Sequence, residues 1–111
     1  AGKLDGSSIR VPTPNVSAVD LKFVPGRKVT KDEINAALQA AADGAMKGVL
    51  DTSNDPLVSI DLNHIAASST AALPQTQVIE GQLGRVLSWY DNEWGFSTRM
   101  SDTALAMAKL I

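Results

Sequence analysis

The chain has 111 residues, 10 Lys plus Arg against 12 Asp plus Glu, a formal net charge of −2 and no cysteine. That length suits one small domain or a piece of a larger one, and a composition of 44% hydrophobic and 20% charged residues is that of an ordinary globular chain. The missing cysteine excludes disulfides, thiolate metal sites and a cysteine nucleophile within these residues. Basic residues are scattered in no run longer than a pair, which argues against a nucleic-acid or anionic-membrane partner. No stretch approaches the roughly 20 apolar residues of a membrane span, and no signal peptide opens the chain. A cytoplasmic protein is the expectation.

Residues 1–15 are rich in turn formers: Asp5-Gly6, then Pro12-Thr13-Pro14-Asn15. Residues 16–23 alternate, with Val19, Leu21 and Phe23 on one face and Asp20 and Lys22 on the other, which predicts a half-buried strand. Pro25-Gly26 ends it. Thr30-Lys31-Asp32-Glu33 has capping-box spacing. Ile34, Ala37, Leu38 and Ala41 follow at helical spacing, so a helix over 31–43 is expected, with Gly44 as a left-handed stop.

Residues 48–50 read as a short strand, 51–56 as a loop and 57–61 as a further strand. An irregular stretch follows at 62–70. Residues 75–80 and 83–90 both read as strands, joined by a tight turn at Gly81-Gln82. Asn92-Glu93-Trp94-Gly95 breaks the pattern. A last helix over about 96–110 carries Met100, Ala104, Met107 and Ile111 on one stripe. Strands that cluster, instead of alternating with helices, predict an α+β fold: a mixed, largely antiparallel sheet with helices on one face plus a C-terminal helix.

The chemistry available unaided is limited. His64 is the single histidine, with Asp61 three residues away, and this falls short of the three or four ligands of a zinc site; a structural role in a polar loop is the simpler reading. Ser68-Ser69-Thr70 is the densest hydroxyl cluster, but no G-x-S-x-G elbow exists and only His64 could act as base. Neither G-x-G-x-x-G nor a Walker sequence occurs. Two places stand out. Arg10 adjoins the stiff Pro12-x-Pro14 loop and can offer a guanidinium to a phosphate, or else form a surface ion pair. Ser88 to Gly95 crowds aromatic, acid and amide groups where a strand gives way to a helix, and Asn92 there is either a ligand-binding amide or a helix cap.

Ile9-Arg10-Val11-Pro12-Thr13-Pro14-Asn15-Val16-Ser17, continuing to Val19-Asp20-Leu21, resembles a segment of glyceraldehyde-3-phosphate dehydrogenases. So does Ser88-Trp89-Tyr90-Asp91-Asn92-Glu93-Trp94-Gly95-Phe96-Ser97, with Arg99-Met100 and Asp102-Thr103 after it. Glu33-Ile34-Asn35, Pro56-Leu57-Val58-Ser59 and Asn63-His64 fall between them in the family's order, so the resemblance covers essentially the whole chain.

The resemblance implies the later part of the family's catalytic α+β domain. Residues 1–95 would belong to that domain, and 96–111 would form the terminal helix that packs on an NAD-binding domain. It implies a parent enzyme that oxidises glyceraldehyde 3-phosphate with NAD and phosphate through a cysteine nucleophile and a histidine base, neither of which is present in this chain. Arg10 matches the family's phosphate-binding arginine. Asn92 matches the asparagine that bonds the nicotinamide carboxamide, with Tyr90 and Glu93 around it. The implied partners are an aldose phosphate, inorganic phosphate and further copies of the chain in a homotetramer. NAD binding by this chain alone would be weak or absent. Leu62 and Ile65 depart from the family's pattern, and the ending also resembles the sister erythrose-4-phosphate dehydrogenases. A non-catalytic module acting only in folding or association is the other expectation.

Overall fold

The computed structural model describes residues 2–111. In chain order its elements are β1 (Ser17–Phe23), α1 (Lys31–Asp43), β2 (Leu50–Ser53), β3 (Ser69–Ala72), β4 (Gln77–Ile79), β5 (Leu83–Tyr90) and α2 (Trp94–Ala108), with 3₁₀ turns at Ser59–Leu62 and Leu73–Gln75. The fold is α+β with one mixed sheet. Its order is β1-β5-β3-β2, and β4 joins β3 along the same edge of β5. Only β2 and β3 run parallel; the other pairings are antiparallel.

α1 forms where its local signals place it. Thr30 Oγ1 accepts the Glu33 amide at 3.2 Å, and Glu33 Oε2 accepts the Thr30 amide at 2.7 Å, which closes the capping box. Its buried side differs slightly from the expected stripe: Ala42 is buried and Ala37 is exposed. Polar bonds fasten the helix to the sheet and to the turn after β3, with Thr52 Oγ1 donating to Gln39 Oε1 at 2.8 Å and Asn35 Nδ2 donating to the Leu73 carbonyl at 3.2 Å. Gly44 ends the helix at φ −113°, not in the left-handed region. A Cβ there would lie 2.9 Å from the Ala40 carbonyl oxygen, so close approach, rather than a positive φ, explains the glycine.

The middle of the chain departs from its local pattern. The strand expected at 48–50 starts only at its last residue, Leu50, and runs on to Ser53 through the first half of the stretch read as a loop. Residues 57–61 make no strand; Asp61 accepts the Val58 amide at 2.8 Å and the backbone turns into a 3₁₀ segment. Ser69–Ala72, whose first two residues fall in the stretch read as irregular, is a strand paired on both edges, to β2 and β5. Apart from Thr70, this Ser-Thr-Ala-Ala stretch carries little strand preference, so its sheet pairing comes from tertiary contact. The β4–β5 turn centres on Glu80–Gly81, one residue earlier than expected, with φ values of 50° and 72°. The Gln82 amide donates to the Ile79 carbonyl at 2.9 Å, as a turn with two left-handed central residues requires.

The buried core is thin: Val16, Ala42, Leu62, Ala71, Ala72 and Leu73 among the apolar residues. β1 is far less covered than its alternation suggests, with Val19 49% and Leu21 47% exposed. Its opposite face carries Asp20, which pairs with Arg85 at 2.8 Å and with Lys22. α2 starts at Trp94, so the boundary expected between 95 and 96 falls inside its first turn. Gly95 is buried there, and Arg99 Nη1 donates to the Gly48 carbonyl at 2.6 Å. Every residue from Met100 onward is exposed, and Phe96, Met100, Ala104 and Met107 form an uncovered face of α2. No described helix is long and apolar enough to cross a membrane.

Candidate functional site

Three stretches converge at the end of the sheet where β1 begins and β5 ends, because Ser17 pairs with Tyr90. They are the segment leading into β1, the turn at 61–65 and the β5–α2 junction. Asp91, 4% exposed, binds them together. Its Oδ1 accepts the amides of Glu93 at 3.0 Å and Trp94 at 2.8 Å. Its Oδ2 accepts the His64 amide at 2.9 Å and Asn15 Nδ2 at 3.0 Å. An ionised carboxylate has about four acceptor positions and no donor, so four donors match it well. These bonds, the Trp94 amide foremost, hold the Asp91 carboxyl below the usual carboxylate range against the opposing effect of burial.

The backbone is bent to make this convergence possible. Val16 and His64 both have positive φ, 68° and 64°. For a β-branched residue such as Val16 that conformation is strained, at roughly 1–3 kcal/mol. It turns the chain so that Asn15 faces inward, bonding Asp91 and, at 2.7 Å, Asn63 Oδ1, while Ser17 enters the sheet. His64 uses its backbone amide for Asp91, and its ring stacks on Trp94 with centroids 4.5 Å apart. It belongs to no metal cluster: among the described residues no group of three or more His, Asp or Glu could hold an ion.

Asn92 is exposed beside this anchored core. Its Oδ1 accepts Ser17 Oγ at 3.0 Å, and its Nδ2 bonds no described residue. It is not the acceptor at the start of α2; Asp91 takes the amides there. Tyr90 closes β5 and is half-buried, and Glu93 is exposed; neither hydrogen-bonds the Asn92 side chain. Arg10 is exposed, with no hydrogen bond or ion pair to a described residue. Just beyond it, the Thr13 amide donates to the Val11 carbonyl at 2.8 Å across Pro12, a three-residue turn that stiffens the segment. That segment enters β1 at the same end of the sheet as Asn92. Of the Ser68-Ser69-Thr70 hydroxyls, that of Ser69 bonds Ser88 at 2.6 Å and Thr70 is buried.

The glyceraldehyde 3-phosphate dehydrogenase C-terminal domain profile matches residues 1–92, most of the chain. The chain belongs to the glyceraldehyde-3-phosphate dehydrogenase family. Similar proteins described as glyceraldehyde-3-phosphate dehydrogenase include that of Xanthobacter flavus, 66% identical over 110 residues that are 99% of this chain and 33% of the relative. That of Cereibacter sphaeroides is 59% identical with the same two coverages. That of Geobacillus stearothermophilus is 52% identical over 107 residues, 96% of this chain and 32% of the relative. The chain thus spans about a third of the length of the dehydrogenases it matches.

Arg10 and Asn92 both lie within the matched residues, Asn92 at their edge. The residues that organise the junction, Asp91, Asn15, Asn63 and Ser17, escaped the sequence reading. Asp91 offered one local signal, an acid three residues before the amide it accepts at a helix start. The partners from the other two stretches offered none.

Proposed function

We propose that this chain is the C-terminal part of an oxidoreductase that oxidises glyceraldehyde 3-phosphate with NAD and inorganic phosphate in glycolysis. It supplies contact residues and no nucleophile. The observation that carries the reading is Asn92: an exposed amide, tethered through Oδ1 and with Nδ2 unengaged, at a junction fixed by a buried carboxylate. Such a group fits the carboxamide of a nicotinamide ring, which needs a polar partner held in one place. NAD, when bound, accepts the hydride. Asn92 holds the ring's orientation, with Tyr90 and Glu93 shaping its surroundings. Arg10 binds a phosphate of the substrate or the attacking phosphate with paired, charge-assisted hydrogen bonds. With no cysteine in its sequence, the chain relies on the rest of the protein for the covalent step, for the base and for most of the NAD surface. The reading places the protein in the cytoplasm and in a homo-oligomer.

The test is a chimera in which this chain replaces the matching third of the Xanthobacter flavus relative. NADH formation from glyceraldehyde 3-phosphate, NAD and phosphate is expected. Arg10→Ala should raise the KM for phosphate or substrate about tenfold, the scale of a lost charged hydrogen bond. Asn92→Ala should raise the KM for NAD instead. A folded chimera that makes no NADH refutes the proposal.

A further inference from the structure

Asn92 is an exposed side chain with one hydroxyl partner, Ser17, and that single bond does not fix an amide. What is fixed is the backbone on either side of it. The preceding residue, Asp91, is 4% exposed and bonds forward to the Glu93 and Trp94 amides. The same carboxylate bonds His64, 27 residues back, and Asn15, 76 residues back. The Asn92 peptide is thereby clamped between a carboxylate rooted in two distant loops and the first turn of α2. A helix cap alone would need only the Oδ1 bonds; the Oδ2 bonds add rigidity that capping does not require.

We propose that Asp91 is a positioning residue for cofactor orientation, holding residues 91–94 so that the Asn92 amide meets the nicotinamide carboxamide in one place. The proposal rests on the reading of Asn92 given above. It makes Asp91 act through Asn92, with no contact of its own to the cofactor. The isosteric change Asp91→Asn separates the two halves of the clamp. Its carbonyl oxygen can still accept the Glu93 and Trp94 amides, but its NH₂ then faces the two donors from His64 and Asn15.

The experiment is a double-mutant cycle in the chimera. Asp91→Asn should weaken NAD binding to the chimera about tenfold by titration calorimetry and lower kcat/KM for NAD in step, the scale of a lost supporting hydrogen-bond partner, and leave the KM for glyceraldehyde 3-phosphate unchanged. Placed on Asn92→Ala, it should change kcat/KM for NAD by less than about twofold, since residues acting as one unit are not additive. Asn15→Ala, which takes one of the four donors from Asp91 along with the bond to Asn63 and is the milder variant should Asp91→Asn fail to fold, should act in the same direction with the same non-additivity. Equal effects of Asp91→Asn in both backgrounds, or a matching rise in the KM for glyceraldehyde 3-phosphate, would make Asp91 merely structural and overturn the inference. An unsubstituted chimera that folds but makes no NADH refutes the reading of Asn92, and the inference falls with it.

Discussion

Asp91 Oδ2 accepts the backbone amide of His64 at 2.9 Å, joining the end of β5 to a turn 27 residues earlier in the chain. The donor is a residue at φ 64°, so the contact is made by a left-handed turn, a conformation histidine enters more readily than most side chains. Placing that turn against a buried acid ties its stability to the acid's ionisation.

That coupling has a sign. The Asp91 carboxyl sits below its ordinary value because the Trp94, His64 and Glu93 amides and Asn15 favour its charged form. A lowered folded pKa contributes stability that is fully present above the unfolded value, about 3.9, and is lost as pH falls through the folded one. Asp20, held down by Arg85 and Lys22, and Glu33, held down by the Thr30 amide and Arg27, act in the same direction. The urea midpoint should therefore fall as the pH drops below the ordinary carboxylate range of about 4. Asp91→Asn should lower the midpoint at neutral pH and flatten its acid limb. An acid limb as steep as that of the unsubstituted chain would count against this account.

Gly95 should tolerate no side chain. Alanine favours helix by about 1 kcal/mol over glycine, so propensity alone predicts that Gly95→Ala stabilises α2. The structure argues the reverse, since a Cβ would lie 2.9 Å from the Ala67 carbonyl oxygen, a backbone atom that cannot swing aside. Destabilisation of about 1–3 kcal/mol is expected, the scale of overpacking, read as a drop in the urea midpoint. Gly84→Ala should cost less. Its conflict, at 2.6 Å, is with the tip of the Phe23 ring across the β1–β5 pair, and that ring can rotate away.

These sites also show what could be read in advance. α1 and β5 were legible because their signals are local: a capping box at Thr30–Glu33 and an eight-residue strand at Leu83–Tyr90. β3 was not. Ser69–Ala72 has no bulky alternation, and two neighbouring strands impose its conformation. The alternation in β1 was read as covering a face that the structure leaves open at Val19 and Leu21. Arg10 and Asn92 were visible beside stiff or broken backbone. Asp91 was not, because its meaning depends on Asn15, 76 residues away.

The β4–β5 turn offers a gain in stability. Glu80 holds φ 50° immediately before Gly81, a conformation that asparagine accepts more readily than glutamate. Glu80→Asn places Asn-Gly at the two central positions and should raise stability by about 0.5–1 kcal/mol, within the range of turn optimisation. Glu80 makes no side-chain hydrogen bond or ion pair to a described residue, so little is lost in exchange. A higher urea midpoint with an unchanged slope checks this. A lower midpoint would mean that the turn conformation is not the limiting feature there.

The isolated chain should not turn over. A thiohemiacetal needs a thiolate, and no residue here can supply one. His64, the sole histidine, is committed through its backbone to Asp91 and through its ring to Trp94, which leaves it badly placed to serve as a substitute base. NAD affinity should be negligible for a related reason: Asn92 offers one amide, and a single hydrogen bond contributes about 1 kcal/mol, far short of the roughly 8 kcal/mol of micromolar binding. Titration calorimetry of the purified chain with NAD should give no saturable heat, and absorbance should show no NADH with substrate and phosphate present. Micromolar binding would mean that the junction around Asn92 holds far more of the cofactor than its amide.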